Sequence, residues 1–247
     1  MERLNLSMRP RILCLLLLPV LAGCASGGPR SDFDPLEDYN RAIFWFNNGV
    51  DFILFEPVAT AWDFFVPDPV QDSLSSFFTN LAFPIYFVNN LLQGEPGYAF
   101  DELGRFIINS TVGGAGFTDI AAKWGIEPHR EDFGQTLGVW GVRPGPFFMI
   151  PILGPTNFRD GVGLIADGFS QPLNYLLDPV ILGSAAGANF INEKARNLRL
   201  MEAFEESALD PYVAMRDAYF QKRQDYVANG MTETPKDESL YDLPEDE

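Results

Sequence analysis

The sequence predicts a mainly helical domain that meets a membrane from its surface. Three observations point there. Aromatic-rich stretches run at helical spacing and are interrupted by Asn and Asp. Asp-Pro and Pro-Asp-Pro strings restart the chain between them. An acylation signal opens the sequence.

Arg3, Arg9 and Arg11 form a positive opening, and Ile12 to Leu21 is almost purely apolar. That run has the length of a secretory segment and falls short of the roughly 20 residues of a membrane span. Leu21-Ala22-Gly23-Cys24 follows and reads as a lipobox. Small residues before the cysteine fit a narrow peptidase site, and the Cys24 thiol takes the lipid. Residues 1–23 are therefore the expected leader, whether translation starts at Met1 or at Met8. Ala25 after the cysteine, in place of Asp, favours the outer membrane over inner-membrane retention. Residues 24–33 are small, polar and Gly-rich, and read as a lipidated tether.

Asp34-Pro35 with Glu37 reads as a helix start, Asp as N-cap and Glu closing a capping box. From Leu36 to about Phe65 apolar residues cover more than one helical face, including Phe44, Trp45, Phe46, Phe52, Ile53, Phe64 and Phe65. Asn47, Asn48, Asp51, Glu56 and Asp63 interrupt them. The pattern fits an amphipathic helix lying within one leaflet and a buried core helix equally. Pro67-Asp68-Pro69 starts the next helix, and Pro84 kinks or splits the stretch from 70 to 93. Phe100 to Ser110 reads as helix, and Gly113-Gly114-Ala115-Gly116 loosens the backbone after it. Residues 125–160 are the least helical part, a long irregular Gly/Pro-rich segment with an apolar patch from Phe147 to Leu153. Helices resume from Asp160, with start signals at Asp178-Pro179 and Asp210-Pro211. Tyr212, Met215, Tyr219 and Tyr226 form one helical stripe. Residues 231–247 carry seven acids, one lysine and two prolines, and read as a disordered acidic tail.

Composition narrows the function. Asp and Glu number 34 against 17 Lys and Arg, a net charge of −17. Loss of the leader, with its three Arg and one Glu, makes the mature chain more acidic still. Such a surface repels nucleic acid and offers no polybasic patch for anionic lipids. Membrane contact must come from apolar area, and the chain has 22 Phe and 4 Trp. Of two cysteines, Cys14 leaves with the leader and Cys24 is acylated, so the mature chain has no disulfide and no thiol ligand. The single His129 sits in the charged string Glu127–Asp132, which lacks regular metal-loop spacing and reads as a solvated or salt-bridged loop. There is no G-x-S-x-G elbow and no phosphate loop. Catalytic residues, metals and cofactors are expected to be none.

Taken in order, several segments resemble the MlaA (VacJ) family of outer-membrane phospholipid-transport lipoproteins. They are Asp34-Pro35-Leu36-Glu37-Asp38-Tyr39-Asn40-Arg41, Leu91-Leu92-Gln93-Gly94, Arg105 to Thr111, Phe133-Gly134-Gln135-Thr136-Leu137-Gly138, and Gly145-Pro146-Phe147-Phe148 through Arg159-Asp160. Asp210-Pro211-Tyr212, Arg216, Ala218-Tyr219-Phe220 and Ala228-Asn229-Gly230 complete the set. The match covers about residues 33 to 230. The resemblance implies a ring-shaped helical domain, residues 34–230, in the inner leaflet of the outer membrane. A central amphipathic channel would pass mislocalised outer-leaflet phospholipid toward a soluble periplasmic lipid carrier, beside a trimeric outer-membrane porin. The family's glycine-bearing hinge falls on Gly141-Val142-Arg143-Pro144-Gly145, which makes Gly141 and Gly145 candidate hinges, with turn glycines the other reading. Asn47, Asn48, Asp51, Asn109 and Ser110 are candidate channel-lining residues, with capping or inter-helix hydrogen bonding the other reading. Two further function classes stay open: a structural, porin-associated lipoprotein without transport activity of its own, and a lipid-modifying hydrolase.

The lipobox makes a direct prediction. Cys24→Ser blocks acylation and leaves the precursor uncut, visible as a larger, mislocalised band in fractionated cells. Mature protein made without lipid still partitions into detergent on phase separation. A freely soluble, monomeric unlipidated form would contradict the membrane-embedded reading.

Overall fold

The computed structural model describes residues 34–229. The leader, the Cys24 lipobox, the tether and the acidic tail lie outside the described residues.

The chain opens with α1 (Glu37–Val50), which runs through a π-helical turn (Asp51–Phe55) into α2 (Glu56–Phe65). Then come α3 (Asp68–Leu81), α4 (Phe83–Leu92), α5 (Pro96–Thr111), α6 (Ile120–Lys123) and α7 (Phe133–Val139). A hairpin of β1 (Phe147–Ile150) and β2 (Gly154–Asn157) interrupts the helices. α8 (Phe158–Ser170), α9 (Leu173–Leu176), α10 (Pro179–Ser207) and α11 (Pro211–Val227) complete the fold. The expected split near Pro84 is present, at Ala82 between α3 and α4. The Asp-Pro signals at 178 and 210 do start helices, with Asp178 accepting from Val180 N and Asp210 from Val213 N.

Two expectations are corrected. Asp34 is not a cap: α1 starts at Glu37 with no side-chain cap hydrogen bond. The Asp34 carboxylate is fully buried and accepts from Asn40 Nδ2 (2.7 Å), the Tyr212 hydroxyl and Arg216 Nη1 (3.3 Å). Tertiary partners on α1 and α11 have outcompeted the local one. The apolar patch from Phe147 is not irregular loop. It is an antiparallel hairpin with Phe147 opposite Asn157 and Ile150 opposite Gly154. Alternation at period two sends Phe147 and Met149 fully inward, while Ile152, at φ +70°, makes the turn.

α1 holds this hairpin with two amides. Asn40 donates to Phe147 O (3.1 Å) and accepts from Met149 N (2.8 Å). Asn47 donates to Ile150 O (3.1 Å) and accepts from Ile152 N (2.7 Å). Seven helical residues advance about 10.5 Å, and three strand residues about 10 Å, so both amides meet the strand in register. The amides thus stand in for a missing neighbouring strand. Behind the hairpin lies a small apolar core of Ile43, Phe44, Phe147, Met149 and Tyr212, flanked by Tyr39, Val213, Met215, Tyr219 and Phe220. The Tyr212 stripe read from the sequence faces this core in part, with Tyr226 left exposed.

Elsewhere the interior is polar. Gln71, Asn89, Asn90, Asn157, Asn192 and Thr136 are among the largest fully buried side chains. Asn89 donates to Asp167 Oδ1 (2.9 Å) and accepts from the Thr136 hydroxyl (2.9 Å), tying α4 to α7 and α8. A second network centres on Arg223 of α11, which meets Asp132 (2.6 and 2.9 Å) and Asp160 (2.9 and 3.0 Å). Tyr219 also donates to Asp160 (2.6 Å). Large apolar side chains point outward instead, with Phe64 81% and Ile53 78% exposed. Among the described residues no helix is long and apolar enough to cross a membrane.

α7 and α8 cross where Gly134 meets Gly163. A Cβ on Gly163 would lie 2.3 Å from Gly134 N and 2.7 Å from its Cα, both backbone atoms. Gly163→Ala is therefore expected to destabilise the fold by about 1–3 kcal/mol. Gly168→Ala on the same helix, where a Cβ meets nothing, is expected to be neutral or stabilising by about 0.4–1 kcal/mol. Denaturation in detergent measures both, and equal effects would refute the crossing as the cause.

The Arg223 network predicts a pH dependence. Burial alone would raise Asp132 and Asp160. Hydrogen bonds from Arg223 to Asp132, and from Tyr219, Arg223 and Arg159 to Asp160, outweigh it and hold both below the usual carboxylate range. Depressed carboxylates contribute stability that is present above their unfolded pKa and lost as pH falls through the folded one. Asp167 runs the other way: burial is its leading cause and holds it above the ordinary value. Arg223→Met is expected to cost about 3–5 kcal/mol at neutral pH, because two buried acids lose their cation. The gap to wild type should narrow as pH drops through the carboxylate range. A gap that does not change with pH would count against this assignment.

Candidate functional site

α3 carries polar residues at 72, 75, 76, 79 and 80, one stripe at helical spacing. That stripe faces a cavity of about 430 Å3, whose other walls are α4, α5, α10 and the segment around Arg130. Asp72, Ser75, Ser76, Thr79 and Asn80 come from α3. Phe83 and Tyr86 come from α4, and Glu102, Arg105 and Asn109 from one face of α5. Asn189, Glu193 and Arg196 of α10 close it.

Charge is organised within this wall. Arg105 reaches Asp119 Oδ2 (2.7 Å) and the Ile126 carbonyl, with Glu102 at 3.7 Å. Asn109 donates to Asp119 Oδ1 (3.0 Å) and accepts from Ala121 N (3.0 Å). Burial works to raise Asp119, and the bonds from Ala122 N, Asn109 and Arg105 more than offset it, so it stays ionised. On the opposite wall Arg196 pairs with Asp72 (2.8 Å), donates to the Ser75 hydroxyl (2.8 Å) and has Glu193 at 3.5 Å. Asn192 anchors α10 to α3 by donating to Gln71 O (3.0 Å) and Ser75 Oγ (3.0 Å), and accepts from Trp62 Nε1 (3.1 Å). Asn189 Oδ1, on the cavity wall, is buried without a hydrogen-bond partner among the described residues.

Two further cavities adjoin the first. One of about 400 Å3 shares Asp72 and Arg196 with it and extends to Asp63, Gln71 and Arg199. Another of about 700 Å3 shares Tyr86 and Arg130 and extends past Tyr98, His129 and Glu131 to Tyr226 and Asn229. The two outer cavities share no lining residue, so the three form a series. The series is polar inside and carries both signs of charge. It can hold a zwitterionic or anionic head group, and it sits in a shell of outward apolar side chains.

The residues singled out from the sequence fall in several places. Asn109 lines the cavity, and Ser110 stands just behind it, accepting from Asn80 Nδ2 (2.9 Å). Asn47 holds the hairpin. Asp51, in the π-helical turn, pairs with buried Lys194 (2.7 Å) and joins α1 to α10. Asn48 is half-buried on α1, away from the cavity lining. Gly141 (φ +88°) ends α7 and Gly145 (φ +71°) precedes β1, both in the left-handed region that favours glycine. A Cβ on Gly141 would meet nothing, whereas one on Gly145 would lie 3.1 Å from Phe158 Cβ. His129 stacks on Tyr98 with centroids 3.8 Å apart, and its Nε2 lies 3.9 Å from Asp101. The α3 polar stripe and Arg196 were not read from the sequence. The stripe's i, i+3, i+4, i+7, i+8 spacing was the signal that could have found it.

Comparison with known proteins agrees with this architecture. A sequence model of the MlaA lipoprotein family matches residues 32–226. The chain is 39% identical to the intermembrane phospholipid transport system lipoprotein MlaA of Escherichia coli (strain K12), covering 90% of each chain. It is 35% identical to the protein of the same description from Haemophilus influenzae, covering 94% of each. A solved structure, described as the structural basis for maintenance of bacterial outer membrane lipid asymmetry, superposes with a TM-score of 0.71 at 35% identity. That match covers 80% of this chain and all of the other. The chain belongs to the MlaA lipoprotein family.

Proposed function

We propose that this protein removes mislocalised phospholipid from the outer leaflet of the outer membrane, maintaining lipid asymmetry. It does so through the polar cavity series and passes the lipid to a soluble periplasmic carrier. In this reading residues 1–23 are the leader, 24–33 the tether acylated at Cys24, 34–230 a ring-like channel domain, and 231–247 an acidic tail. The domain lies in the inner leaflet, facing the periplasm, beside a trimeric porin. Gly141 and Gly145 are the hinge glycines beside the channel.

One observation carries the reading: the fold is polar within and apolar without. Leaving a large apolar side chain in water forgoes about 1.5–3 kcal/mol relative to burial. Phe52, Ile53, Phe64, Phe65, Phe169, Leu176 and Val180 are all more than two-thirds exposed, and a bilayer leaflet removes that penalty together. Helices too short or too polar to span fit a domain embedded in one leaflet. Inside, the cavity gives a charged head group hydrogen-bond partners in place of hydrocarbon, where crossing alone costs several kcal/mol. No bond is made or broken, so transfer needs no nucleophile and the protein is not an enzyme. The relatives named for intermembrane phospholipid transport support the same substrate.

Blocking the cavity tests this. Ser76 lines it, whereas Ser73 on the same helix does not. In a deletion strain, wild type and Ser73→Trp restore normal outer-leaflet phospholipid labelling and detergent resistance. Ser76→Trp accumulates normally and fails to restore either. Normal asymmetry in the deletion strain would refute the function. Full rescue by Ser76→Trp, with loss of rescue confined to outward-facing substitutions, would favour a porin scaffold instead.

A further inference from the structure

Two of the guanidinium groups on the central cavity's walls are neutralised. Arg105 is held by Asp119 and Glu102, and Arg196 by Asp72 and Glu193. Arg130 is different. It lines both the central cavity and the one of about 700 Å3, and among the described residues its guanidinium has no hydrogen-bond or ion-pair partner. Tyr86, the other residue shared by those two cavities, has a hydroxyl equally without a partner among the described residues. The two are close enough for the arginine's charge to act on the phenol. The junction therefore presents a planar cation and a neutral O–H donor with nothing to bind.

The acids that face Arg130 are otherwise engaged. Asp132 is locked by Arg223, Glu131 accepts from Gln93 Nε2 (2.8 Å), and Glu102 takes the His129 N–H (2.6 Å). Burial also pushes Glu131 above the ordinary carboxylate value and the Tyr86 phenol above its own, so the phenol keeps its proton. Meanwhile Asp72, Glu102, Asp119 and Glu193 line the central cavity and repel a phosphate that lacks a cation of its own. The complement of one free guanidinium and one free hydroxyl is an oxyanion with several acceptors.

We propose that Arg130 and Tyr86 form a neck that binds the phosphodiester of the lipid head group as it passes between the two cavities. The assignment rests on the channel reading above. The shared phosphate is the recognised element, so lipids with different head groups engage the neck alike, and an ammonium-bearing head finds the neighbouring carboxylates as well.

The test uses full-length lipidated protein in detergent, titrated with dihexanoyl phosphatidylglycerol and dihexanoyl phosphatidylethanolamine. Dihexanoylglycerol, which lacks phosphate, and inorganic phosphate serve as comparison probes. Arg130→Gln is expected to weaken both phospholipids roughly 10- to 100-fold and Tyr86→Phe a few-fold, with Arg130→Lys in between. Dihexanoylglycerol binding and the thermal midpoint stay at wild-type values, because Arg130 is exposed and holds nothing together. Unchanged phospholipid affinity in Arg130→Gln, while wild type binds and restores asymmetry, overturns the neck alone. Inorganic phosphate binding as tightly as the short lipids makes this a general anion site and overturns it too. Failure of wild type to bind any phospholipid, with normal asymmetry in the deletion strain, overturns the channel and the neck together.

Discussion

Beyond the small apolar core, side-chain amides bonded to distant backbone and side chains hold this fold together, because most of its large apolar side chains face outward. Asn40 and Asn47 clasp the hairpin, Asn89 and Asn90 tie α4 to α8 and to the His129 segment, and Asn192 fastens α10 to α3. An amide suits this position. It donates and accepts at once, carries no charge to desolvate, and so can replace a strand neighbour or bridge two helices. The consequence is an interior that tolerates polar lining. Where each wall is already built on partnered amides, a cavity beside it can present Ser, Thr and Asn without disturbing the packing. A conventional hydrophobic core would have filled that space with Leu and Phe.

Electrostatics within the cavity follows from the same economy of polar groups. The chain is strongly acidic, at −17, yet Arg105, Arg130, Arg196 and Arg199 line the cavity series. In the central chamber Arg105 and Arg196 each sit between two carboxylates, an alternation of charge that, in the proposed channel, a zwitterion would cross without meeting a deep well. Strong binding at one point would trap the lipid, since passage requires departure as well as entry. In that reading paired charges keep the walls wet and shallow, and the unpaired Arg130 stands at the junction of two chambers. Protonation changes this little near neutral pH, because Asp119 and Asp132 are held below the ordinary carboxylate range by their arginine and amide partners.

Helix positions were legible from the sequence because proline and aspartate act locally. Asp178-Pro179, Asp210-Pro211 and the break near Pro84 depend only on near neighbours, and each appears where read. Asp34 carried the same local signal and went elsewhere, since Tyr212 and Arg216, nearly 180 residues away, offered better partners. The hairpin was hidden for a related reason. Its strands have four residues each and contain Pro155, and its ladder is completed by side chains of α1, not by further strands. For the site, the inventory of polar residues was readable but their direction was not. Asn109 faces the cavity while Asn47 and Asp51 engage other elements, and nothing local distinguishes them. The α3 stripe was the one lining element whose direction could be read, because its spacing repeats over two turns.

A passive cavity has no direction of its own, so the energetics of residence matter more than any pumping step. In the proposed reading, the apolar shell alone would suffice for strong membrane association. A handful of side chains such as Phe64, Ile53 and Leu176, each contributing about 1.5–3 kcal/mol on leaving water, rivals an acyl chain at roughly 0.8 kcal/mol per buried CH2. In the proposed reading, acylation at Cys24 would then not be needed for affinity. What a lipid at the N-terminus would add is choice: it would commit the chain to one membrane and one face before the helices insert. The helices would then set depth, with the outward aromatics on the α1–α2 run and on α8–α9 in hydrocarbon and the cavity reaching water. Anchor and shell therefore answer different questions, the first which leaflet and the second how deep, and lipid passage needs both to be right.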